Sequence, residues 1–358
     1  WPLADRLFDP AAGEIVAFGF AFYKRSTLRD FFAPRPVRHV RHVDSIVPGS
    51  TVAVWGATPL PTALERGCRV VRLEDGFLRS VGLGADLIRP LSWVVDQRGI
   101  YFDATRPSDL EHLLQHHDFS TDLLERAARL RQRIVQAGLT KYNVGACGWR
   151  RPPGARRVVL VPGQVETDAS IALGAGQLRT NLALLRQVRA ACPQAHLLYK
   201  PHPDVVAGLR LPGEQESQAL HHCDEVVADV PMAALLDQVD EVHLLTSLTG
   251  FEALLRGKPV TCHGQPFYAG WGLTEDVTPH ARRGRRRSLD ELVAAALILY
   301  PRYLSPHDGS VITPEAAVDQ LVALRQQGGD RSGWRRRLLR PLLRALAHIE
   351  DGARRRQG

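Results

Sequence analysis

Four stretches carry residue types that do chemistry. "RLEDGFLRSVGLG" (72–84) sets Glu74 and Asp75 side by side after Val70–Val71, with Arg79 and Ser80 close behind. Asp-Gly is turn chemistry. A second acid before it, and a cation and a hydroxyl after it, suit the rim of a site where a carboxylate acts. "VLVPGQVETDAS" (159–170) runs from an apolar strand into a polar turn holding Gln164, Glu166, Asp168 and Ser170. Ligands of open α/β sheets bind at the carboxyl ends of strands. Helix capping by Asp168 or Ser170 is the competing structural role. "YKPHPD" (199–204) sets Lys200 and His202 two residues apart, on one side of an extended chain. Pro201 and Pro203 stiffen that loop, and a stiff Lys/His pair suits an anion. "HLLTSLTGFEALLRGKP" (243–259) is a strand, then Thr246, Ser247, Thr249 and Gly250, then a helix. Hydroxyls and backbone N–H groups at such a junction bind phosphate, and Glu252 could accept from ribose hydroxyls. Capping by Ser247 or Thr249, with Glu252 closing a capping box, competes.

Weaker signals surround these. In "HGQPFYAGWGLT" (263–274) Tyr268 and Trp271 could stack on a base or sugar, or the loop could pack on itself. "TKYN" supplies Lys141, Tyr142 and Asn143 just after a long helical stretch. "QHHD" (115–118) and "HHCD" (221–224) lack spaced partner ligands, so no metal is expected there. "RRGRRR" (282–287) reads as a solvated basic loop, or a surface for an acidic acceptor.

Short strands alternating with helices must position these residues. Strands are expected at 15–20, 51–56, 69–73 and 93–96, with helices at 60–67, 107–117 and 120–138. Ser108 is the expected cap of the second helix. "WRRPPGARR" (149–157) has no periodicity and reads as a linker. Beyond it come strands at 158–163, 196–200, 241–245 and 259–262, and helices at 181–191, 248–257, near 288–299 and at 314–327. This alternation predicts an α/β fold with parallel sheets. The division is 1–152 for an N-terminal Rossmann-like domain, 153–330 for a C-terminal Rossmann-like one, and 331–358 for a basic tail, with a cleft between the two domains. No GxGxxG, Walker or DxD motif is present.

The five cysteines are scattered without a CxxC pair, as in a reducing cytosol. Of the net charge of +8, seven sit in residues 331–358, where nine arginines face Glu350 and Asp351. The body is nearly neutral, which removes the case for nucleic acid. The tail interleaves Arg with Leu and carries Trp334, a pattern for an anionic membrane surface. The chain opens on Trp1, so a piece of a longer protein is expected.

From about residue 15 to 325 seven motifs follow in order: "RLEDGFLRSVGLG", "IYFDATRPSDLE", "TKYN", "VPGQVETDAS", "YKPHPDVVAG", "LLTSLTGFEALLRGKPVTCHGQPFYAGWGLT" and "LDELVAAALILYPRY". Together they resemble the capsule-polysaccharide KpsC family of retaining β-Kdo glycosyltransferases, most closely the C-terminal of its two transferase modules. The resemblance implies a GT-B-like pair of Rossmann-like domains. It implies the donor CMP-β-Kdo and double displacement through a covalent Kdo–enzyme adduct. Asp168, in Gln164-x-x-x-Asp168, would be the nucleophile and Glu74 the acid/base. Thr167 stands where an acid is expected in relatives. Gln164, Lys200, His202, Thr246, Ser247, Thr249, Gly250 and Glu252 would hold the donor. Arg79, Ser80, Lys141, Tyr142, Asn143, Tyr268 and Trp271 would face sugar or acceptor. No metal and no cofactor is expected. The implied partners are CMP-Kdo, a Kdo-terminated glycolipid growing a poly-Kdo linker, a membrane surface and a second transferase module. The implied location is cytoplasmic, peripheral on the inner membrane. A nucleotide-sugar epimerase, a sialyl-type transferase or a non-catalytic glycan-binding assembly module are the alternatives.

Overall fold

A computed structural model describes residues 7–81, 89–141, 143, 145 and 148–327. Tyr142 and the basic tail 331–358 lie outside the described residues. The chain divides into two compact units.

The first unit comprises the chain up to Arg79, Arg89–Leu130 and Asp290–Asp319. Its strands are β1 (Ile15–Phe18), β2 (Val37–Val40), β3 (Thr51–Trp55), β4 (Arg69–Asp75) and β5 (Ser92–Asp96), and later β12 (Pro301–Leu304) and β13 (Val311–Ile312). They form one seven-stranded sheet in the order β13-β12-β5-β4-β3-β1-β2. The four strands from β2 to β4 are parallel, while β5, β12 and β13 attach antiparallel. Val52, Ala53 and Val54 of β3 are fully buried, as a central strand covered on both faces requires. "VRHV" of β2 was not legible as a strand, because an edge tolerates Arg38 and His39.

Residues 290–319, which pattern alone groups with the second domain, return to the first sheet. Pro301 opens β12, where its missing N–H is least costly. The Tyr300 hydroxyl, one residue earlier, donates to Asp96 Oδ2 at 2.8 Å. Burial and neighbouring Asp109 push the Asp96 carboxyl up to about 6, and four donors hold it.

The second unit comprises Arg131–Leu289 with pieces from Ser80 and from Gln320 onward. Its strands are β6 (Val158–Pro162), β7 (His196–Lys200), β8 (Glu225–Val226), β9 (Glu241–Leu244), β10 (Val260–Cys262) and β11 (Glu275–Asp276). All pairings are parallel, in the order β11-β10-β9-β6-β7-β8. Counted within the unit this is 3-2-1-4-5-6, the Rossmann order. The chain reverses its direction of growth between β6 and β9, so a ligand crevice belongs at the carboxyl ends of those two strands. Helices Asn181–Ala191 and Thr249–Leu255 start after strands, the first with Thr180 Oγ1 accepting the Ala183 N–H at 3.2 Å. Two Rossmann-like α/β units give the GT-B-like class. Among the described residues no helix is long and apolar enough to cross a membrane.

Candidate active site

In the second unit the switch point is occupied by the expected residues. Gln164 follows β6 and Thr246 follows β9. Gln164 Nε2 donates to Thr246 Oγ1 at 3.0 Å, and the Thr246 N–H returns a bond to Gln164 Oε1 at 2.9 Å. This reciprocal pair fixes the two strand ends against each other. Ser247 Oγ accepts the Thr249 N–H at 3.2 Å and donates to Thr249 Oγ1 at 3.1 Å.

Asp168 occupies the N-cap position of the short helix Ala169–Gly174 but makes no side-chain capping bond. Its backbone does the local work: its N–H donates to the Val165 carbonyl at 3.0 Å. The carboxylate is 40% exposed and sits 3.7 Å from the Arg210 guanidinium. A strand-end carboxylate that is neither a cap nor buried is suited to meet a ligand. Glu166, two residues earlier, is structural. Its oxygens accept the N–H groups of Asn181 and Glu214, each at 2.7 Å.

His202 Nδ1 accepts the Asp204 N–H at 3.2 Å. The neutral ring therefore carries its proton on Nε2. Burial, against the pull of Asp168, pushes the imidazole down to about 4. His202 is thus a neutral hydrogen-bond donor at pH 7, so in the Lys/His pair expected to suit an anion the histidine offers an N–H and not a charge. Lys200 is buried and donates to the Ala228 carbonyl at 2.9 Å. Burial lowers it to about 8, which leaves it mostly charged at pH 7.

Glu252 does not close a capping box. Its Oε1 accepts the Lys141 N–H at 2.7 Å, tying "TKYN" to the helix Thr249–Leu255. Burial raises this carboxyl from 4.5 to about 7. Folding therefore takes up a proton, and the group's contribution is greatest below pH 4.5 and declines as pH rises through 7. The full loss is about 3 kcal/mol. Glu252→Gln keeps an acceptor for Lys141. Urea unfolding at pH 5 and pH 7.5 is expected to show a smaller drop for this variant than for the parent.

Asn143 adopts φ 53° and is committed to local structure. Its Oδ1 accepts the Thr140 N–H at 2.8 Å, and its Nδ2 donates to the Ser80 carbonyl at 3.0 Å. Tyr268 and Trp271 are fully buried. Their expected stacking on base or sugar is corrected: the loop packs on itself. The Tyr268 hydroxyl donates to the Ser247 carbonyl, and Trp271 Nε1 to the Phe267 carbonyl. Tyr268 also explains Gly250, because a Cβ there would lie 2.3 Å from the phenol oxygen. The basic run 282–287 is not uniformly solvated. Arg283 is buried and donates to the carbonyls of Pro266 and Ala269.

In the first unit the two adjacent acids separate cleanly. Asp75 Oδ2 accepts from Arg79 Nε at 2.6 Å, and Asp75 Oδ1 accepts from Trp93 Nε1 at 3.1 Å. Both partners are buried, so Asp75 and Arg79 hold the turn together. Gly76 is required there because a Cβ would meet Ser92 Oγ at 2.3 Å. Glu74 sits one residue earlier, and its Oε1 accepts the adjacent Asp75 N–H at 3.0 Å.

Two residues, Lys24 and Arg210, were missed by the sequence reading. The parallel strands run β2-β1-β3-β4, which puts this sheet's reversal between β1 and β3. Lys24, six residues past β1, places its ammonium 2.8 Å from the centroid of the Trp55 ring at the end of β3. Burial lowers the Lys24 pKa, while Asp75 and Glu74 pull it back up. The signal available in the sequence was the strand followed by "FYKR". Arg210 was missed for want of any motif.

Comparison with known proteins agrees with this architecture. The profile of the capsule polysaccharide biosynthesis protein family matches residues 60–148 and 115–303. The capsule polysaccharide modification protein LipA of Neisseria meningitidis serogroup A is 40% identical over 339 residues, 92% of this chain and 48% of LipA. The chain thus spans about half the length of that relative. The lipopolysaccharide-processing protein LpsZ of Rhizobium meliloti is 44% identical over 339 residues, 89% of this chain and 77% of LpsZ. Among solved structures, the β-Kdo 2,7 transferase of Thermosulfurimonas dismutans KpsC superposes with a TM-score of 0.72 at 39% identity, covering 87% of this chain and 99% of that one. The β-Kdo 2,4 transferase of the same KpsC gives 0.74 at 34% identity, covering 86% and 98%. With its two Rossmann-like units and this match over most of its length, the chain belongs to the capsule polysaccharide biosynthesis family and is of the KpsC type.

Proposed function

We infer that the chain transfers Kdo from CMP-β-Kdo, with retention, to a Kdo-terminated glycolipid that carries a growing poly-Kdo linker. The observation that carries this reading is Asp168: a strand-end carboxylate, uncommitted to capping, beside Arg210. In the first step an Asp168 oxygen attacks the anomeric carbon, the bond from that carbon to the phosphate oxygen breaks, and CMP leaves with the electron pair. In the second step the acceptor hydroxyl attacks the same carbon, Glu74 takes its proton, and the Asp168 ester bond breaks. Two inversions give net retention.

The sugar carries its own carboxylate next to the reacting carbon. Its repulsion of Asp168 at ~4 Å is about 4 kcal/mol at an effective dielectric of ~20. Arg210 and Lys200 supply the offsetting charge, and His202 Nε2–H supplies a neutral donor for the phosphate. Thr246 and Ser247 complete the donor end, with Glu252 toward the ribose. A monophosphate leaving group needs little protonation, so Glu74 matters most as the base of the second step. A lipid acceptor places the reaction at a membrane surface. We assign it to the cytoplasmic face of the inner membrane, with a second transferase module in the longer relatives.

Incubation with CMP-Kdo and a Kdo-terminated acceptor is expected to yield a new β-Kdo glycoside. Isomerised donor would indicate an epimerase instead, and unchanged donor a binding module. Lys24→Met is expected to lower the transfer rate about tenfold, because it removes a cation that interacts electrostatically with both Glu74 and Asp75. Stability should hold or rise, since a half-buried ammonium costs desolvation. Steady-state kinetics together with a melting curve checks both halves.

A further inference from the structure

We propose that the second unit holds a structural zinc site formed by Cys192, Glu241 and His243, at the end of its sheet away from the donor residues. Cys192 ends the helix Asn181–Ala191, and Glu241 and His243 lie on one face of β9. Their ligand atoms all lie within 4.8 Å of one another. Tetrahedral zinc with thiolate, imidazole and carboxylate ligands, and a water in the fourth position, needs the three side-chain ligand atoms ~3.5 Å apart, a contraction within reach of side-chain adjustment.

Two further observations point to a cation. Glu241 Oε1 is buried without a hydrogen-bond donor, although Oε2 is held by Arg157 at 2.7 Å. A bare buried carboxylate oxygen is costly, and it faces His243 Nε2 at 3.5 Å. The other ring nitrogen, His243 Nδ1, lies 3.3 Å from His263 Nε2. Donation from Nδ1–H to His263 leaves the Nε2 lone pair directed at the same space as Glu241 Oε1. A ligating histidine is oriented in this way by a partner at its second nitrogen, and Arg157 does the same for the carboxylate. Arg157 and Arg189 are the cations nearby. One thiolate and one carboxylate neutralise the zinc, so these guanidiniums face a complex with no net charge. The sequence hid this site because Cys192 stands 49 residues before Glu241 and no CxxC or HxxxH spacing marks it.

The zinc would pin the end of a helix to the start of β9. Glu241 begins β9, whereas Thr246 follows its other end, so the site serves the sheet and not the transfer chemistry. The test uses the full chain, stripped with chelator and dialysed against zinc chloride alone. The expected result is one zinc per chain, a rise in Tm of a few degrees, and loss of both in Cys192→Ser and in His243→Ala. Cobalt substituted into the unmutated protein should show a thiolate-to-metal charge-transfer band, which needs no variant to be read. Absence of bound zinc and of the cobalt band overturns the proposal. So does zinc that remains at full stoichiometry in both variants.

Discussion

Asp168→Ala abolishes glycosyl transfer, lowering the rate by about 10⁴-fold or more, the scale on which removal of a covalent nucleophile acts. The fold should survive, because the Asp168 backbone N–H, not its side chain, bonds the preceding turn, and the side chain caps nothing. The cost to stability is therefore small, within about 0.5 kcal/mol. Asp168→Asn keeps the shape and removes the charge that repels the sugar carboxylate. It should bind CMP-Kdo as well as the parent or better while failing to turn it over. Intact-mass measurement during turnover should show a Kdo adduct on the parent chain and none on either variant. Full activity in Asp168→Ala would refute the covalent mechanism.

Glu74→Gln and Asp75→Asn should fail in different ways. Glu74→Gln is expected to lose transfer by about 10²- to 10⁴-fold, the usual worth of a general base, with an unchanged melting curve. The adduct should still form in this variant and accumulate, since only the second step needs the base. Asp75→Asn breaks the buried pair with Arg79 and weakens the bond from Trp93 Nε1. Leaving Arg79 buried without its counter-ion costs about 3 kcal/mol, which a denaturant titration reads directly. If Asp75→Asn melts normally and alone loses transfer, the two acids have been assigned the wrong way round.

Much of this was legible because local signals and tertiary structure agreed. The helix Asn181–Ala191 and the strand His196–Lys200 have the bounds that periodicity gives them. Ser108 caps its helix by accepting the Glu111 N–H at 3.0 Å. Strand-end residues such as Gln164 and Thr246 could be placed because parallel sheets put their ligands there. What stayed hidden depends on contacts distant in sequence. The two-residue strands β8, β11 and β13 are too short to carry a pattern. Tyr268 and Trp271 look the same in sequence whether they face a ligand or the core. The charge state of His202 follows from burial and from a bond to Asp204, and neither shows in "KPHPD".

The return of residues 290–319 to the first sheet governs the order in which the chain can be completed. The ribosome delivers β1 to β5 first, then all six strands of the second unit, and only then β12 and β13. Until residue 304 has emerged, the β5 edge away from β4 has no partner, and Asp96 lacks the phenol that it accepts from. Vectorial synthesis favours folding from the N-terminus, yet here the first unit to begin must wait for the second to be made. A nascent chain stalled before Pro301 should expose the β5 edge to protease, and release past Ile312 should close it.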